Sequence, residues 1–128
     1  GYILLKYPKL EKEIIKMSKS KNMWMRRLAM VSTFPLIRQG DIRLTMKLAE
    51  YYVEDKEDYI QKATGWMLRE AAKQKPEQVK RFVLKHIHMP AICFSYATER
   101  DLKELRKVRK LKRLGADKRA KGFLFWGR

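Results

Sequence analysis

Residues 55–73, with the sequence DKEDYIQKATGWMLREAAK, form the stretch around which the rest of this chain is arranged. Small and apolar side chains recur in it at helical spacing, at Ile60, Ala63, Met67 and Ala71. Cationic and aromatic side chains recur at the same spacing on another face, at Lys62, Trp66, Arg69 and Lys73. The two stripes predict one amphipathic helix that packs with its apolar face and presents an indole among three cations. Since tryptophans in helices are mostly buried, a core position for Trp66 is the alternative.

The ends of this helix and its glycine are also informative. Asp55 is the predicted N-cap, and two further acidic residues in the first turn complement the helix dipole, as does Lys73 at the other end. Gly65 stands next to Trp66, where a glycine costs about 1 kcal/mol relative to alanine. Its presence predicts that the backbone of a neighbouring helix approaches closely at this point.

The composition predicts a folded, all-α protein. The chain has 128 residues, of which 45% are hydrophobic, enough for one domain with a core. Apolar residues recur with a period of about 3.6, without the alternating runs that are typical of strands. No stretch has the roughly 20 apolar residues of a transmembrane helix, and none resembles a signal peptide. We therefore expect a soluble, monomeric protein in the cytoplasm, associated with the nucleoid.

The net charge of +17, from 31 Lys and Arg against 14 Asp and Glu, favours a polyanionic partner. Residues 99–128 carry 12 basic and 4 acidic side chains, a net +8, which leaves +9 on residues 1–98. The helical body is therefore basic without its C-terminal extension. Nucleic acid is the first partner that this charge suggests, and an anionic membrane surface is the less favoured second.

Triad catalysis, metal binding and cofactor binding find no support in the sequence. The single cysteine, Cys93, lies among apolar residues, which favours a small buried hydrophobe over a nucleophile. His86 and His88 point about 200° apart if they lie on one helix, so they cannot share an ion. We expect both histidines at a helix end or in solvent, no metal and no small-molecule cofactor.

The rest of the body reads as a series of helices over residues 2–7, 8–17, 22–37, 41–54, 76–86 and 90–96. Asn22 is a favourable N-cap, and Pro35 either bends the last turn of its helix or ends that helix early. Gly40 followed by Asp41 predicts a stop and a new cap. Helices of this kind, joined by short turns, are typical of an α-solenoid in which successive helix pairs pack together.

The sequence changes character from about residue 99. Leu102, Leu105, Val108 and Leu111 are spaced for a thin apolar stripe on a strongly basic helix that Gly115 is predicted to end. An aromatic segment, GFLFWGR, closes the chain at residues 122–128. Three interpretations are open: a solvated basic extension whose aromatic tip folds back on the body, a contact with the DNA backbone, and binding to a membrane surface or a partner.

Two segments resemble one known family. Residues 59–70, YIQKATGWMLRE, and residues 22–29, NMWMRRLA, are similar to signature segments of the AlkD-like DNA alkylation repair glycosylases. Shorter pieces at residues 1–10, 76–79, 89–90 and 96–99 agree in order and spacing. The resemblance implies a curved stack of HEAT-like helix pairs over residues 1–100, equivalent to the C-terminal half of the family's domain. Residues 101–128 would then be an added basic helical extension with an aromatic tail.

The resemblance also implies a reaction and a set of contacts. The family excises DNA bases made cationic by alkylation, of the 3-methyl- or 7-methylpurine type, without swinging the base into a pocket. By resemblance, Arg27 holds a phosphate of alkylated double-stranded DNA, and Trp66 supplies the aromatic contact on the lesion side of the catalytic centre. The other DNA-binding candidates are the neighbouring aromatic and cationic side chains, Trp24, Arg26, Lys62 and Arg69.

The chain departs from the family pattern at the catalytic carboxylate. In the family, that aspartate lies in a W-x-x-x-D type segment of an earlier helix, whereas no tryptophan precedes Trp24 here. The aspartates at predicted helix starts, Asp41, Asp55 and Asp58, read as caps. We expect this sequence to be a piece of a longer polypeptide that binds DNA and builds part of the site. The alternatives are a non-catalytic, nucleic-acid-binding HEAT module and a protein-interaction scaffold.

Overall fold

A computed structural model describes the backbone of residues 8–126 and the side chains of residues 9–115. Its helices are α1 (Pro8–Ser18), α2 (Met23–Val31), α3 (Phe34–Arg38), α4 (Arg43–Tyr52), α5 (Asp58–Gln74), α6 (Pro76–Lys85), α7 (Ala91–Ala97) and α8 (Glu104–Trp126). No strand occurs in this part of the chain, so the prediction of an all-α protein is confirmed. The predicted helix over residues 2–7 and the position of the aromatic tail's side chains lie outside the described residues.

Helix α5 lies at the centre of the packing. It contacts α2, α3, α4, α6 and α7, and its largest contact is with α7. The predicted apolar stripe is buried along its whole length, at Ile60, Ala63, Met67 and Ala71. Gln61 is buried beside this stripe, and its side-chain amide donates to the Tyr52 and Asp55 carbonyls. Helix α5 therefore fixes the end of α4 as well as the core.

The start of α5 differs from the prediction. The helix begins at Asp58, and its N-cap residue is Glu57, so Asp55 is not the cap. The Asp55 carboxylate instead accepts the backbone N–H of Glu57 at 3.0 Å and pairs with Arg26 at 2.9 Å. The bond from the Glu57 N–H to the Asp55 side chain closes a turn, so the chain turns at Asp55 before the helix begins.

The predicted helix over residues 22–37 is divided in two. Asn22 is the N-cap of α2, as predicted, and its side-chain oxygen accepts the N–H groups of Trp24 and Met25. Helix α2 ends at Val31, and Pro35 lies in the first turn of α3, where a missing backbone N–H costs nothing. Of the two alternatives that Pro35 left open, the structure shows an early end of the helix and not a bend.

The turn between α3 and α4 depends on Gly40. This glycine has φ of +85°, a left-handed conformation that favours glycine. The N–H groups of Gly40 and Asp41 donate to the carbonyls of Ile37 and Leu36, which ends α3. The buried Asp41 carboxylate accepts the backbone N–H of Arg43 at 3.1 Å and pairs with its guanidinium at 3.0 Å. The predicted stop is therefore confirmed, whereas the predicted cap is wrong: the N-cap residue of α4 is Ile42, and Asp41 lies one residue before it.

Asp41 should make the protein less stable in acid. The hydrogen bond from the Arg43 side chain holds the pKa of this carboxyl well below its ordinary value of 3.8. A lowered pKa stabilises the fold above pH 4 or so, and that stabilisation is lost as the pH falls through the folded-state value. We expect Asp41→Asn to lower the free energy of unfolding by about 1 kcal/mol at pH 7 and by less at pH 3. Urea unfolding at both pH values measures this, and an equal loss at both would contradict it.

The packing of α5 against α7 depends on Gly65. A Cβ atom at this position would lie 2.5 Å from the Cys93 carbonyl oxygen and 2.7 Å from the Tyr96 Cβ. Real side chains do not approach so closely, so only glycine fits here without movement of one helix. The close approach predicted from the sequence is confirmed. Cys93 itself is fully buried, and burial raises the pKa of its thiol to about 12, as suits a packed hydrophobe.

The first turns of α8 pack on the body, but not through the whole predicted stripe. Leu102 and Leu105 are buried, whereas Leu111 is 67% exposed. Arg109 is buried instead: its guanidinium donates to the Met89 carbonyl at 2.6 Å and lies 4.5 Å from the Phe94 ring centre. The prediction that Gly115 ends the helix is wrong, because α8 continues to Trp126. No described helix is long and apolar enough to cross a membrane.

Candidate nucleic-acid interface

Helices α2, α5 and α7 together form one open cleft of about 360 Å³. The cleft is lined by cationic, aromatic and acidic side chains and one alanine: Arg27, Tyr59, Lys62, Ala63, Trp66, Arg69, Tyr96 and Glu99. Four of the residues predicted from the sequence, Arg27, Lys62, Trp66 and Arg69, thus meet at one surface although they come from two helices. The packing of α2 against α5 is what brings Arg27 to Trp66.

Trp66 lies at the boundary between the core and the cleft. Its side chain is half-buried and packs against the core, and its ring centre is 6.0 Å from that of Phe34. The rest of the side chain forms part of the cleft wall. The sequence left open a core position or a site position for Trp66, and the structure gives this residue both kinds of neighbour. An indole held on one side by packing is a rigid contact surface on the other.

Glu70, one helical turn after Trp66, organises the back of the cleft. Burial raises the pKa of its carboxyl, but the hydrogen bond and charge of Lys73, the Arg69 charge and the Trp66 side chain outweigh burial and lower it. The Glu70 carboxylate lies 2.9 Å from the Lys73 ammonium and 3.5 Å from the Arg69 guanidinium. Glu70 therefore stays ionised and holds the side chains on this face of α5 in place.

Arg69 is paired with two carboxylates, those of Glu70 and Glu99. Its guanidinium donates to the Glu99 carboxylate at 2.9 Å, and Glu99 follows the end of α7. This ion pair joins α5 to the segment after α7. Because Glu99 is about half exposed, the pair is screened by water and contributes little to stability. An incoming phosphate could therefore replace this carboxylate on Arg69 at small cost.

Trp24 extends the aromatic surface beyond the cleft. Its ring is 59% exposed and lies 5.3 Å from the Tyr59 ring, which lines the cleft. The Lys62 ammonium lies 5.6 Å from the same Tyr59 ring centre, within the range of a cation–π contact. An exposed indole in tilted contact with a tyrosine and close to a lysine is a surface suited to contact with sugar and phosphate groups.

Arg26 occupies a different environment from its neighbour Arg27. Its guanidinium donates to Asp55 at 2.9 Å and to the carbonyls of Ser20 and Lys21 at 3.1 and 3.0 Å. These bonds connect the turn before α2 with the turn before α5. The structure thus uses most of the donors of Arg26 within the fold and does not place it among the residues that line the cleft.

Apart from Ala63, which the sequence placed in the apolar stripe, three cleft residues were not identified from the sequence. Tyr59 continues the spacing of Lys62, Trp66 and Arg69, and this pattern could have revealed it. Tyr96 and Glu99 reach the cleft only because α7 packs against α5. The resemblance at residues 96–99 marked this segment but gave neither residue a place in the site. The histidines lie elsewhere: His86 caps the end of α6 beside Glu50, and His88 is exposed. Within the described residues, no three metal-ligating side chains form a cluster.

Fold and cleft together define a class of protein: an all-helical protein whose cationic and aromatic side chains converge on one open cleft. The family of DNA alkylation repair enzymes matches residues 1–100, and the chain belongs to this family. The matched region contains every residue that lines the cleft. Comparison with curated proteins and with solved structures gave no match.

Proposed function

We propose that this chain is the DNA-binding part of a DNA glycosylase that excises cationic alkylated purines, and that the cleft receives the duplex at the lesion. The observation that carries this proposal is the meeting of Arg27 and Trp66 in one cleft inside the region that matches the family. Membership of the family supplies alkylation repair as the process, and the chemistry of the cleft residues suggests their roles.

The order of helix contacts supports a HEAT-like solenoid. Helices α1 and α2 pack against each other and are joined by a short turn, and α4 and α5 do the same. The second helices of these two pairs, α2 and α5, pack side by side, α7 packs against α5, and all three carry cleft residues. In a stack of helix pairs, equivalent helices line one surface, which suits a long double helix.

The cleft residues suit the substrate that we propose. Arg27 can donate two hydrogen bonds to a phosphate and keeps its charge at any physiological pH. When a cationic base leaves, positive charge develops on the deoxyribose. An electron-rich aromatic face such as that of Trp66 stabilises such a charge, and a carboxylate beside the sugar stabilises it further. A base that departs directly from the helix needs no deep binding pocket, and the cleft is open.

The family's catalytic carboxylate has no counterpart that can be recognised in this sequence. Asp41 and Asp55 are bound within turns, and neither lines the cleft. Glu99 lines the cleft but is paired with Arg69. We propose that the catalytic aspartate belongs to a segment N-terminal to Gly1 in the full-length protein. The chain alone should then bind methylated DNA without releasing 7-methylguanine.

Binding to duplex DNA tests the role of the cleft. We expect the affinity to fall steeply with salt, by roughly 0.9 in log K per log salt for each phosphate contact. Arg27→Ala should weaken binding about tenfold and reduce this slope by about 1, with no change in thermal unfolding. Arg38→Ala, which removes an exposed arginine outside the cleft, is the matched control. Equal affinities of the two variants would remove Arg27 from the interface.

A non-catalytic DNA-binding module is the second candidate. It is favoured by one observation, the lack of any tryptophan before Trp24 to match the family's catalytic segment. Both candidates predict salt-sensitive DNA binding. They differ when the polypeptide is extended towards its N-terminus: the glycosylase then releases 7-methylguanine from methylated DNA, and the module does not.

A further inference from the structure

Helix α8 is attached to the body by its first turns. Leu105 is buried, and the Arg109 guanidinium is fixed between the Met89 carbonyl and the Phe94 ring. Glu104 lies 3.8 Å from the Lys80 ammonium on α6. These contacts come from two separate helices and the segment between them. The direction in which α8 leaves the body is therefore determined by packing.

Among the side chains of α8 that the structure describes, Arg109 is the last buried one. On a helix, residues Lys112 and Arg113 continue the face that carries Leu105 and Arg109. Both are exposed, and Leu111 and Leu114 are 67% and 46% exposed. Over residues 110–114, α8 therefore faces solvent on every side, beyond the region that matches the family.

The exposed part of α8 is crowded with like charges. Lys107, Lys110, Lys112 and Arg113 are all exposed, and none has an acidic partner among the described side chains. Burial and the Arg113 charge both lower the pKa of Arg109. Like charges three or four residues apart destabilise a helix, so a polyanion that neutralised them would stabilise α8.

The start of α8 lies next to the rim of the cleft. The Arg106 guanidinium donates to the Thr98 hydroxyl at 3.1 Å and to the Ser95 carbonyl at 3.2 Å. Thr98 directly precedes Glu99, which lines the cleft. A long polyanion seated in the cleft and leaving it past Glu99 would therefore meet the basic turns of α8.

We propose that α8 is a second DNA-binding element, which contacts the phosphate backbone of the duplex outside the cleft through Lys107, Lys110, Lys112 and Arg113. The proposal rests on the proposed function in naming double-stranded DNA as the polyanion. Phosphate contacts of this kind carry no sequence information and fix how the protein sits on the duplex. Helix α8 thus lengthens the contact made by the family-matched body.

The arrangement of charges favours DNA over a membrane surface. A helix that lies in a membrane interface separates an apolar face from a cationic face. In the described part of α8, Leu111 and Leu114 are the only exposed large apolar side chains. Lys107 and Lys110 lie on the same side of the helix as these leucines, by helical spacing. Cations on all sides suit the extended negative field of a duplex better.

The test removes four charges from α8 in the full chain by the variant Lys107→Gln, Lys110→Gln, Lys112→Gln and Arg113→Gln. The contacts of Leu105 and Arg109 remain. We expect affinity for a fluorescent unmodified duplex to fall about ten- to a hundredfold near 0.1 M salt, and the salt slope to fall by about 2 to 4. Circular dichroism during heating should show that bound DNA protects the helix of the unaltered chain more than that of the variant.

A second variant controls for net charge. Substitution of Lys9, Lys12, Lys16 and Lys19 by Gln removes four exposed charges in and beside α1, which does not line the cleft. An equal loss of affinity in the two variants, or an unchanged salt slope in the α8 variant, would overturn the proposal. So would stronger α8-dependent binding to phosphatidylserine-containing vesicles than to DNA.

The proposals for the cleft and for α8 can be contradicted independently. Loss of binding in Arg27→Ala with none in the α8 variant would leave the cleft proposal intact and remove α8 from the interface. The reverse result would keep α8 and remove the cleft. Both losses together, each larger than that of the α1 control, are the expected result.

Discussion

Replacing Gly65 with valine should unfold much of this protein at temperatures where the unaltered chain is stable. The first carbon of any side chain at this position meets the Cys93 carbonyl oxygen at 2.5 Å and the Tyr96 Cβ at 2.7 Å. One of these atoms is backbone, so no side-chain rotation relieves the clash, and α5 and α7 must separate. We expect a loss of at least about 3 kcal/mol, or a fall in Tm of about 10 °C or more, measured by thermal unfolding.

Two further substitutions separate the clash from the general properties of glycine. Gly65→Ala gains about 1 kcal/mol in helix propensity and loses more than this in overpacking, so its net loss should be smaller than that of valine. Gly40→Ala meets nothing within 4 Å and is disfavoured only by the backbone φ of +85°. We expect it to cost about 1 kcal/mol. Unfolding temperatures for Gly65→Val and Gly40→Ala that agree would mean that the helix contact is not tight.

Features that depend on one helix could be predicted from the sequence. The stripe Ile60, Ala63, Met67 and Ala71 is buried as its spacing requires, and the Asn22 cap and Gly40 stop follow from local chemistry. Gly65 was also informative, because a glycine that weakens a helix indicates a gain elsewhere. In each case the residue type and its neighbours along the chain carry the signal.

Features that depend on two competing partners could not be predicted in this way. Asp55 is a good N-cap by residue type, but Arg26 engages its carboxylate from another turn. Arg109 occupies a position where the stripe suggested only leucine and valine, because a carbonyl and an aromatic ring happen to meet its guanidinium there. Gly115 does not end α8, since propensity alone is a weak determinant of where a helix ends.

The composition of the cleft illustrates the same division. Trp66 and Lys62 share a face of α5 that the sequence shows directly. Tyr96 and Glu99 come from the far side of a helix contact, and Glu99 adds a negative charge to a surface that the sequence predicted to be cationic and aromatic. The Arg69–Glu99 pair therefore changes the interpretation of Arg69, whose guanidinium has to exchange a carboxylate for a phosphate if it binds DNA.

Trp66 should matter more for base release than for DNA binding. In the N-terminally extended polypeptide, we expect Trp66→Ala to lower the single-turnover rate of 7-methylguanine release roughly ten- to a hundredfold. Its affinity for unmodified duplex should change much less, because the phosphate contacts of the neighbouring cations remain. The physical reason is that, in the proposed reaction, the electron-rich indole face stabilises a positive charge on the sugar. This charge develops only as the base departs.

Trp66→Phe separates this electrostatic effect from loss of packing. Phenylalanine retains an aromatic face against Phe34 and the cleft but cannot approach Glu70 through an indole N–H. We expect Trp66→Phe to retain more activity than Trp66→Ala and to unfold at nearly the same temperature as the unaltered protein. If Trp66→Ala lowered thermal stability strongly and left the rate of release per folded molecule unchanged, Trp66 would be a core residue that merely borders the cleft. In that case Glu70→Gln, which removes the carboxylate beside the indole, should also leave the rate of release unchanged. If Glu70 instead positions the indole for the reaction, release should slow in both Trp66→Ala and Glu70→Gln.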